Sequence, residues 1–223
     1  MSTVSRASGL IDEQGYFWPN CTELRRHVVP EAAEAEMRCQ VDRAMAAGID
    51  VTHLDAHMGA AAIPELLDAY LRLGAFYQLP VVLPRAIDGY LKLLLGNDTC
   101  DNAEVYRAAV RQIESTGPVV DHFRSGTGAP SDQAEHSYKA MLLALPPGLT
   151  YLALHANAPG DIEQIFPLRA HRRTDEYRIF QGPAFGLWAA ERGIAVTDMR
   201  SQRTLMRRQD RSPVSDPVPH STR

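Results

Sequence analysis

Two histidines and an aspartate at alternate positions form the pattern in this sequence that is best suited to chemistry. His53, Asp55 and His57 lie within residues 51–59, after a short apolar entry. In a β-strand, side chains two residues apart share one face, so the three groups would point the same way. Imidazole and carboxylate together suit Zn, Mn, Ni or Fe, and the corresponding chemistry is metal-assisted activation of water. A structural interpretation is also open, in which the histidines are hydrogen-bonded groups at a strand end.

The segment Thr52-His-Leu-Asp-Ala-His57 resembles the Thr-His-x-Asp-Ser-His core of the YdjC-like carbohydrate deacetylases, the ChbG/HpnK family. Residues 15–18 before this motif, and residues 152–155 and 174–178 after it, are similar to that family in order and spacing. The resemblance covers most of residues 9–208. It implies an α/β fold of the TIM-like barrel type and a metal-dependent hydrolase that removes acetyl groups from N-acetylated carbohydrates.

The resemblance also implies roles for the residues of the motif. His57 matches the position of a metal ligand, and the cofactor would be a divalent metal ion, Mg or Zn. His53 and Asp55 match the frame of the motif, where they would orient that ligand by hydrogen bonding rather than coordinate the ion. His155 matches the histidine of a Leu-His-Pro segment in the family, but Ala156 stands where the proline is expected.

A catalytic role for His155 is therefore expected, as the general acid that protonates the leaving amine or as a substrate contact. The alternative is a hydrogen-bonded histidine at a strand end. Arg85 and His122 also follow predicted strands and could bind the substrate, although each could equally be a packing or salt-bridge residue.

Short apolar segments alternate with helical periodicity along the chain. Strands are predicted at residues 49–55, 79–84, 118–123, 150–155 and 194–199. Helices are predicted at residues 30–48, 64–77, 87–95, 102–115, 133–144, 174–178 and 183–191. This alternation predicts a parallel α/β arrangement with polar residues at the carboxyl ends of the strands, as in α/β barrels and open sheets. The family resemblance favours the barrel.

Five strands are too few to close a barrel of about eight. The family's Asn-Ala-Asp-Asp-Phe-Gly and Gly-x-His-x-Thr elements do not occur in this sequence. We therefore expect one domain over residues 1–208, an N-terminally incomplete barrel, followed by a disordered tail at 209–223. Two alternatives to an active deacetylase are a catalytically inactive, truncated remnant that binds at most a sugar or a partner, and a small metal-binding domain.

Composition limits the remaining classes of protein. The 223 residues carry a net charge of −4, which argues against general nucleic-acid binding. Arginines do cluster at 203, 207, 208 and 211, but they precede a segment rich in proline and serine, which favours a solvated tail. The three cysteines are widely spaced and predict no disulfide framework.

Hydropathy and localisation give the last expectations. No apolar run reaches the roughly 18 residues of a membrane span, and no signal core is evident. We expect a cytoplasmic enzyme that acts on a small carbohydrate, has no nucleic-acid or membrane partners, and could form a homo-oligomer.

Overall fold

The computed structural model of this chain describes residues 6–95 and 102–209, which form a mixed α/β structure dominated by helices. The chain divides into two compact units. The first comprises Met1–Val81, Arg111–Pro118 and Met199–Arg223, and the second comprises Val82–Val110 and Val119–Asp198. The predicted disordered tail lies outside the described residues, apart from Gln209 at its start.

Ten α-helices and two short 3-10 helices make up most of the described residues. The α-helices are α1 Cys21–His27, α2 Pro30–Ala46, α3 Leu67–Tyr77, α4 Ile87–Leu95, α5 Ala103–Thr116, α6 Ala134–Leu143, α7 Asp161–Ile165, α8 Ala170–Phe180, α9 Pro183–Ala190 and α10 Met199–Gln209, and the 3-10 helices are Arg6–Ser8 and His57–Ala62. In this part of the chain, no helix is both long enough and apolar enough to cross a bilayer.

A small parallel sheet confirms the predicted parallel arrangement. Strand β1, His122–Ser125, pairs with β2, Thr150–Ala153, and His122 lies opposite Thr150. Two isolated parallel bridges, Leu54 with Val81 and Pro84 with Val120, mark the predicted strands at 49–55 and 79–84. A complete barrel is not formed by the described residues.

The fifth predicted strand, at residues 194–199, is wrong. Residues 194–198 have no regular structure, and Met199 begins helix α10. Arg203 of this helix donates hydrogen bonds to Asp50 and to the Val51 carbonyl, the latter over 2.6 Å. The helix also buries Met206, which packs beside Gly117. Tertiary contacts therefore hold α10 within the first unit, although its sequence is mostly polar.

Helix α2 begins where the sequence predicts. Pro30 occupies its first turn, where the missing N–H costs nothing because no helical acceptor is available there. Glu31 lies in the same turn, at the positive end of the helix dipole. The helix ends at Ala46, and Gly48 then adopts a positive φ of 79°. A glycine suits this left-handed conformation since it has no Cβ to clash with the backbone.

Helix α3 forms the core of the first unit and supports the segment that carries the histidine motif. Leu67, Tyr70 and Leu73 are each at most 2% exposed. The Tyr70 hydroxyl donates a hydrogen bond of 2.5 Å to the Leu54 carbonyl. Leu54 in turn donates its N–H to the Pro80 carbonyl over 2.9 Å. Helix packing and backbone pairing therefore both fix the chain just before Asp55.

Gly74 lets α3 approach the neighbouring segment closely. A Cβ at this position would lie 2.5 Å from Val81 Cγ1 and 3.1 Å from the Leu79 carbonyl oxygen. We expect Gly74→Ala to lower the free energy of unfolding by about 1–2 kcal/mol, because overpacking outweighs the higher helix propensity of alanine. Urea denaturation measures this change.

The matched control is Gly186→Ala in α9, where a Cβ would meet nothing within 4 Å. This change should raise the free energy of unfolding by about 0.5–1 kcal/mol. A Gly74→Ala variant as stable as the control would contradict the close approach.

The second unit packs helices α6, α8 and α9 together. Ala134 and Tyr138 of α6, Ile179 of α8 and Phe185 of α9 form a buried cluster. Phe180 meets Tyr138 edge-to-face, with ring centroids 5.1 Å apart. This cluster supports the loops that follow β1 and β2, since both loops lie against α6 and α8.

Candidate functional site

The histidine motif lies in the first unit, in a segment that pairs with its neighbour only at Leu54 among the described residues. Asp55 and His57 are exposed, whereas His53 is half-buried. His53 Nδ1 lies 2.9 Å from the Thr52 hydroxyl, and Asp55 Oδ1 accepts the Ala56 N–H over 2.9 Å. Burial lowers the pKa of His53, and the nearby Asp55 carboxylate partly opposes that effect.

That His53, Asp55 and His57 share one face stays a prediction, but the three side chains do not form a metal site by themselves. Among residues 6–95 and 102–209, no three His, Cys, Asp or Glu side chains are grouped so that they could hold a metal ion. In the part of the chain that the structure describes, residues 51–57 pair with a neighbouring segment only at Leu54, and a 3-10 helix begins at His57. A domain whose whole metal site consists of His53, Asp55 and His57 is therefore not supported.

The backbone turns sharply directly after His57. Met58 has a φ of 54° and Gly59 a φ of 76°, inside the 3-10 helix His57–Ala62. Positive φ is uncommon for a residue with a side chain, and such strain persists only where surrounding contacts hold it. The Cys21 thiol supplies one such contact, at 3.2 Å from the Met58 carbonyl oxygen.

His57 and Asp55 lie at an open, largely apolar pocket of about 380 Å³ in the first unit. Its walls come from α1, α2, α3 and the aromatic residues before them, including Phe17 and Trp18. Trp18 stacks on His27 with centroids 4.2 Å apart, and its indole N–H donates to the Gly9 carbonyl over 2.8 Å. Trp18 is thus held rigidly as one wall of the pocket.

His155 lies in the second unit, two residues beyond the end of β2, and its side chain is exposed. Its backbone N–H donates to Glu176 Oε2 over 2.5 Å. Its carbonyl oxygen lies 3.5 Å from the guanidinium of Arg173. Two residues of α8 therefore fix the backbone on both sides of the His155 side chain.

Glu176 is a buried carboxylate that joins three parts of the second unit. It is 4% exposed, and its second oxygen, Oε1, accepts the Tyr138 hydroxyl over 2.5 Å. The loop after β1 also reaches it, since a Cβ on Gly126 would lie 2.6 Å from Oε1. Burial, together with the neighbouring carboxylate, raises the pKa of the Tyr138 hydroxyl. Sequence reasoning missed Glu176, because a glutamate within a helix carries no signal of burial.

An open pocket of about 240 Å³ lies beside His155 in the second unit. The residues around it come from the end of β1 and the loop after it, from α6, from the segments after β2 and α7, and from the beginning of α8. They are Ser125, Gly126, Thr127, Gly128, Ala129, Ala134, Tyr138, His155, Phe166, Arg169, Arg172, Arg173, Asp175 and Glu176. The pocket is polar and rich in arginine, in contrast to the apolar pocket at His57.

Arg85 and His122 line neither of these two pockets. Arg85 Nε donates to Asp121 Oδ1 over 2.9 Å, and His122 Nε2 lies 3.2 Å from the Pro147 carbonyl oxygen. The first of these contacts ties the segment after Pro84 to the start of β1. Substrate binding by either residue stays a prediction.

Comparison with known proteins identifies the class to which this fold and these residues belong. The sequence model of a family described as YdjC-like protein matches residues 2–191. This chain is therefore a member of the YdjC-like family, as the motif around His57 indicates.

Individual relatives agree with this assignment. A protein from Thermus thermophilus named carbohydrate deacetylase is 32% identical over 179 residues, which cover 80% of this chain and 64% of that protein. Another carbohydrate deacetylase, from Brevibacillus brevis, is 43% identical over 56 residues, which cover 25% of this chain and 23% of that protein. This chain thus spans less than two thirds of the length of the Thermus relative.

A solved structure is also similar in fold. It is a protein from Enterococcus faecalis V583 described as a cellobiose-phosphate cleavage protein, with a TM-score of 0.64 and 20% identity. The match covers 89% of this chain and 71% of the other. At this level of identity, the likeness concerns the fold alone.

Proposed function

We propose that this chain acts as a carbohydrate deacetylase, which removes acetyl groups from N-acetylated carbohydrates in a metal-dependent hydrolysis. The observation that carries the proposal is the 32% identity over 179 residues to the Thermus thermophilus protein of that name. The positions of His57 and His155 give further support, because each is exposed beside an open pocket.

A TIM-like barrel is part of the same proposal. The segment at Leu54 bridges to Val81, Pro84 bridges to Val120, and β1 pairs with β2, all in parallel. Within each unit, parallel pairing thus joins segments that follow one another along the chain, as in an α/β barrel.

His155 is proposed as the general acid of the reaction. Deacetylation breaks the bond between the acetyl carbon and the amide nitrogen, and water supplies the hydroxyl of the acetate that leaves. The departing nitrogen needs a proton, which an imidazole can donate near neutral pH. The hydrogen bond from the His155 N–H to Glu176 and the contact of its carbonyl with Arg173 would hold the imidazole at a fixed place in the pocket.

His57 is proposed as a ligand of a divalent ion, Mg or Zn. Such a site needs about three or more protein donors. The described residues bring no such group together, so they do not form a complete site by themselves. No step of the reaction is therefore assigned to the ion. The proposal for His57 is limited to one exposed imidazole, which lines the same pocket as Asp55.

The incomplete metal site among the described residues favours a second candidate function, sugar binding without catalysis. Even without a complete metal site among its described residues, the chain could bind a carbohydrate in the pocket near His155. The two candidates differ in acetate release, which only the first requires.

Acetate release from N,N′-diacetylchitobiose, measured with and without added Zn²⁺ or Mg²⁺, tests the proposal. We expect metal-stimulated release that falls by about 100-fold or more in His57→Ala and in His155→Ala, as is typical when an acid–base or metal-binding group is removed. The matched control is His136→Ala, an exposed histidine on α6, which should retain full activity. If the wild-type chain releases no acetate under any of these conditions but binds the sugar, the second candidate function is correct.

A further inference from the structure

Tyr138 of α6 is a buried tyrosine whose hydroxyl group has no part in the proposed reaction. The residue is 3% exposed and lines the pocket beside His155. Its ring packs edge-to-face on Phe180, with the centroids 5.1 Å apart. A phenylalanine would supply the same packing, whereas a buried hydroxyl group destabilises the fold unless it is hydrogen-bonded. The partners of this hydroxyl group therefore define what Tyr138 adds to the site.

The Tyr138 hydroxyl group forms hydrogen bonds in two directions. Its O–H donates to Glu176 Oε1 over 2.5 Å. Burial raises the pKa of Tyr138, the Glu176 carboxylate adds to this rise, and a hydrogen bond from the Thr127 backbone partly opposes it. A hydrogen bond lowers the pKa of a tyrosine when the phenolic oxygen accepts it, so Thr127 donates its N–H. The hydroxyl group thus keeps its proton in neutral solution and joins α8 to the loop after β1.

Gly126 shows how closely this loop packs against the two side chains. A Cβ at this position would lie 2.6 Å from Glu176 Oε1 and 2.9 Å from the Tyr138 hydroxyl oxygen. Both distances are shorter than an ordinary van der Waals contact. Any larger residue would therefore displace the loop or one of the two side chains.

The other carboxylate oxygen of Glu176 reaches the segment after β2. Oε2 accepts the His155 N–H over 2.5 Å. A continuous series of hydrogen bonds therefore links the segments that follow the two paired strands, from Thr127 through the two side chains to His155. The terminal torsion of a glutamate has a broad range of angles, so the partners of the carboxylate decide its orientation. Without the Tyr138 hydroxyl group, Oε1 loses its donor and the carboxylate is free to turn away from the His155 N–H.

We propose that Tyr138 is a positioning residue for His155. It acts through the Glu176 carboxylate, which holds the His155 backbone in place relative to the loop of residues 125–129 in the same pocket. The inference rests on the proposed function, in which the His155 imidazole donates a proton to the leaving nitrogen. A small displacement of a proton donor lowers the rate of the chemical step, whereas the substrate still binds.

NMR spectroscopy of the full chain with Tyr138→Phe tests the inference, because this change removes the hydroxyl group and keeps the ring. The imidazole signals of His155 and His136 are assigned from the variants His155→Ala and His136→Ala. We expect the His155 signal to shift and broaden in Tyr138→Phe. The signal of His136, which is exposed on the same helix as Tyr138, should stay unchanged.

Acetate release from N,N′-diacetylchitobiose gives a second readout. We expect kcat of Tyr138→Phe to fall about tenfold while KM changes by less than about twofold, because a misplaced proton donor affects the transition state more than the bound substrate. A role in packing alone would not separate kcat from KM in this way. If the wild-type chain releases no acetate, the proposed function fails, and the His155 signal still decides this inference.

Tyr177→Phe is the matched control, since it removes a hydroxyl group from a residue that is next to Glu176 in α8 and 36% exposed. It should leave the His155 signal and kcat unchanged. Gly126→Ala is a second variant, which keeps both side chains but brings a methyl group against Glu176 Oε1, and it should also shift the His155 signal. An unchanged His155 signal in both Tyr138→Phe and Gly126→Ala would overturn the inference. Equal shifts of the His155 and His136 signals would overturn it too, as would a rise in KM at constant kcat.

Discussion

Replacing Glu176 with alanine should lower the free energy of unfolding by about 2–4 kcal/mol, because two donors lose a buried, charged acceptor at once. The donors are the Tyr138 hydroxyl and the His155 N–H, each 2.5 Å from a carboxylate oxygen. The carboxylate is 4% exposed, so water does not replace it freely. Urea denaturation followed by circular dichroism measures the change. Since folded domains are stable by only about 5–15 kcal/mol, this loss is large.

Glu176→Gln separates the hydrogen bonds from the side-chain volume. The single amide oxygen of glutamine can still accept one of the two hydrogen bonds, but its NH₂ group would face a donor. We therefore expect the free energy of unfolding to fall by about 1–3 kcal/mol. Glu135→Gln on α6 is the matched control, because its carboxylate is 58% exposed and pairs with Lys139. That change should alter the free energy of unfolding by less than about 0.5 kcal/mol. A Glu176→Ala variant as stable as the control would contradict the conclusion that the two hydrogen bonds of Glu176 stabilise the second unit.

The sequence predicts part of the helix that contains Glu176, but it does not predict that this glutamate is buried. The sequence predicts a helix at residues 174–178, and these residues lie within α8. A helix turns through its full circumference every 3.6 residues, and local sequence does not say which side faces a neighbouring loop. The carboxylate is buried because the His155 backbone and Tyr138 meet on that side, and these contacts are distant in sequence.

The positions of helices are easier to predict than those of strands. Pro30 and the glycine at 48 mark α2 by local backbone chemistry, which acts in the same way in any fold. A strand instead needs a partner, and among the described residues the segment 49–55 pairs with its neighbour at Leu54 only. The alignment of His53 with His57 that alternation predicts therefore rests on a segment with one backbone pairing, and it stays a prediction.

Helix α10 is a segment that the sequence does not predict to be helical. It is mostly polar, and tertiary contacts hold it in place. The sequence assigns its arginines to a solvated tail. Arg203 is instead paired with Asp50, and the side chain of Arg203 is 12% exposed in that pair. The partners are separated by 153 positions in the chain, and no local pattern could link them.

Asp121→Ala should lower the free energy of unfolding by about 1–3 kcal/mol at pH 7, because two donors lose a charged acceptor. Asp121 Oδ2 accepts the Leu149 N–H over 2.8 Å, and Oδ1 accepts Arg85 Nε over 2.9 Å. The hydrogen bond from Leu149, followed by that from Arg85, lowers the pKa of this carboxyl. Thermal unfolding at a series of pH values measures both the size and the pH dependence of the effect.

The sign of the pH dependence follows from that lowered pKa. A carboxyl with a lower pKa in the folded than in the unfolded chain stabilises the fold fully above the unfolded value, about 4 for aspartate. That contribution is lost as the pH falls through the folded value, because both states are then protonated. The Tm difference between wild type and Asp121→Asn should therefore be constant from about pH 7 to about 5 and shrink below about pH 4.

Asp132→Asn, at an exposed position in the same unit, should match the wild type at pH 7. A Tm difference for Asp121→Asn that grows as the solution is acidified would contradict the assignment of Asp121 as the charged acceptor that joins Arg85 to Leu149.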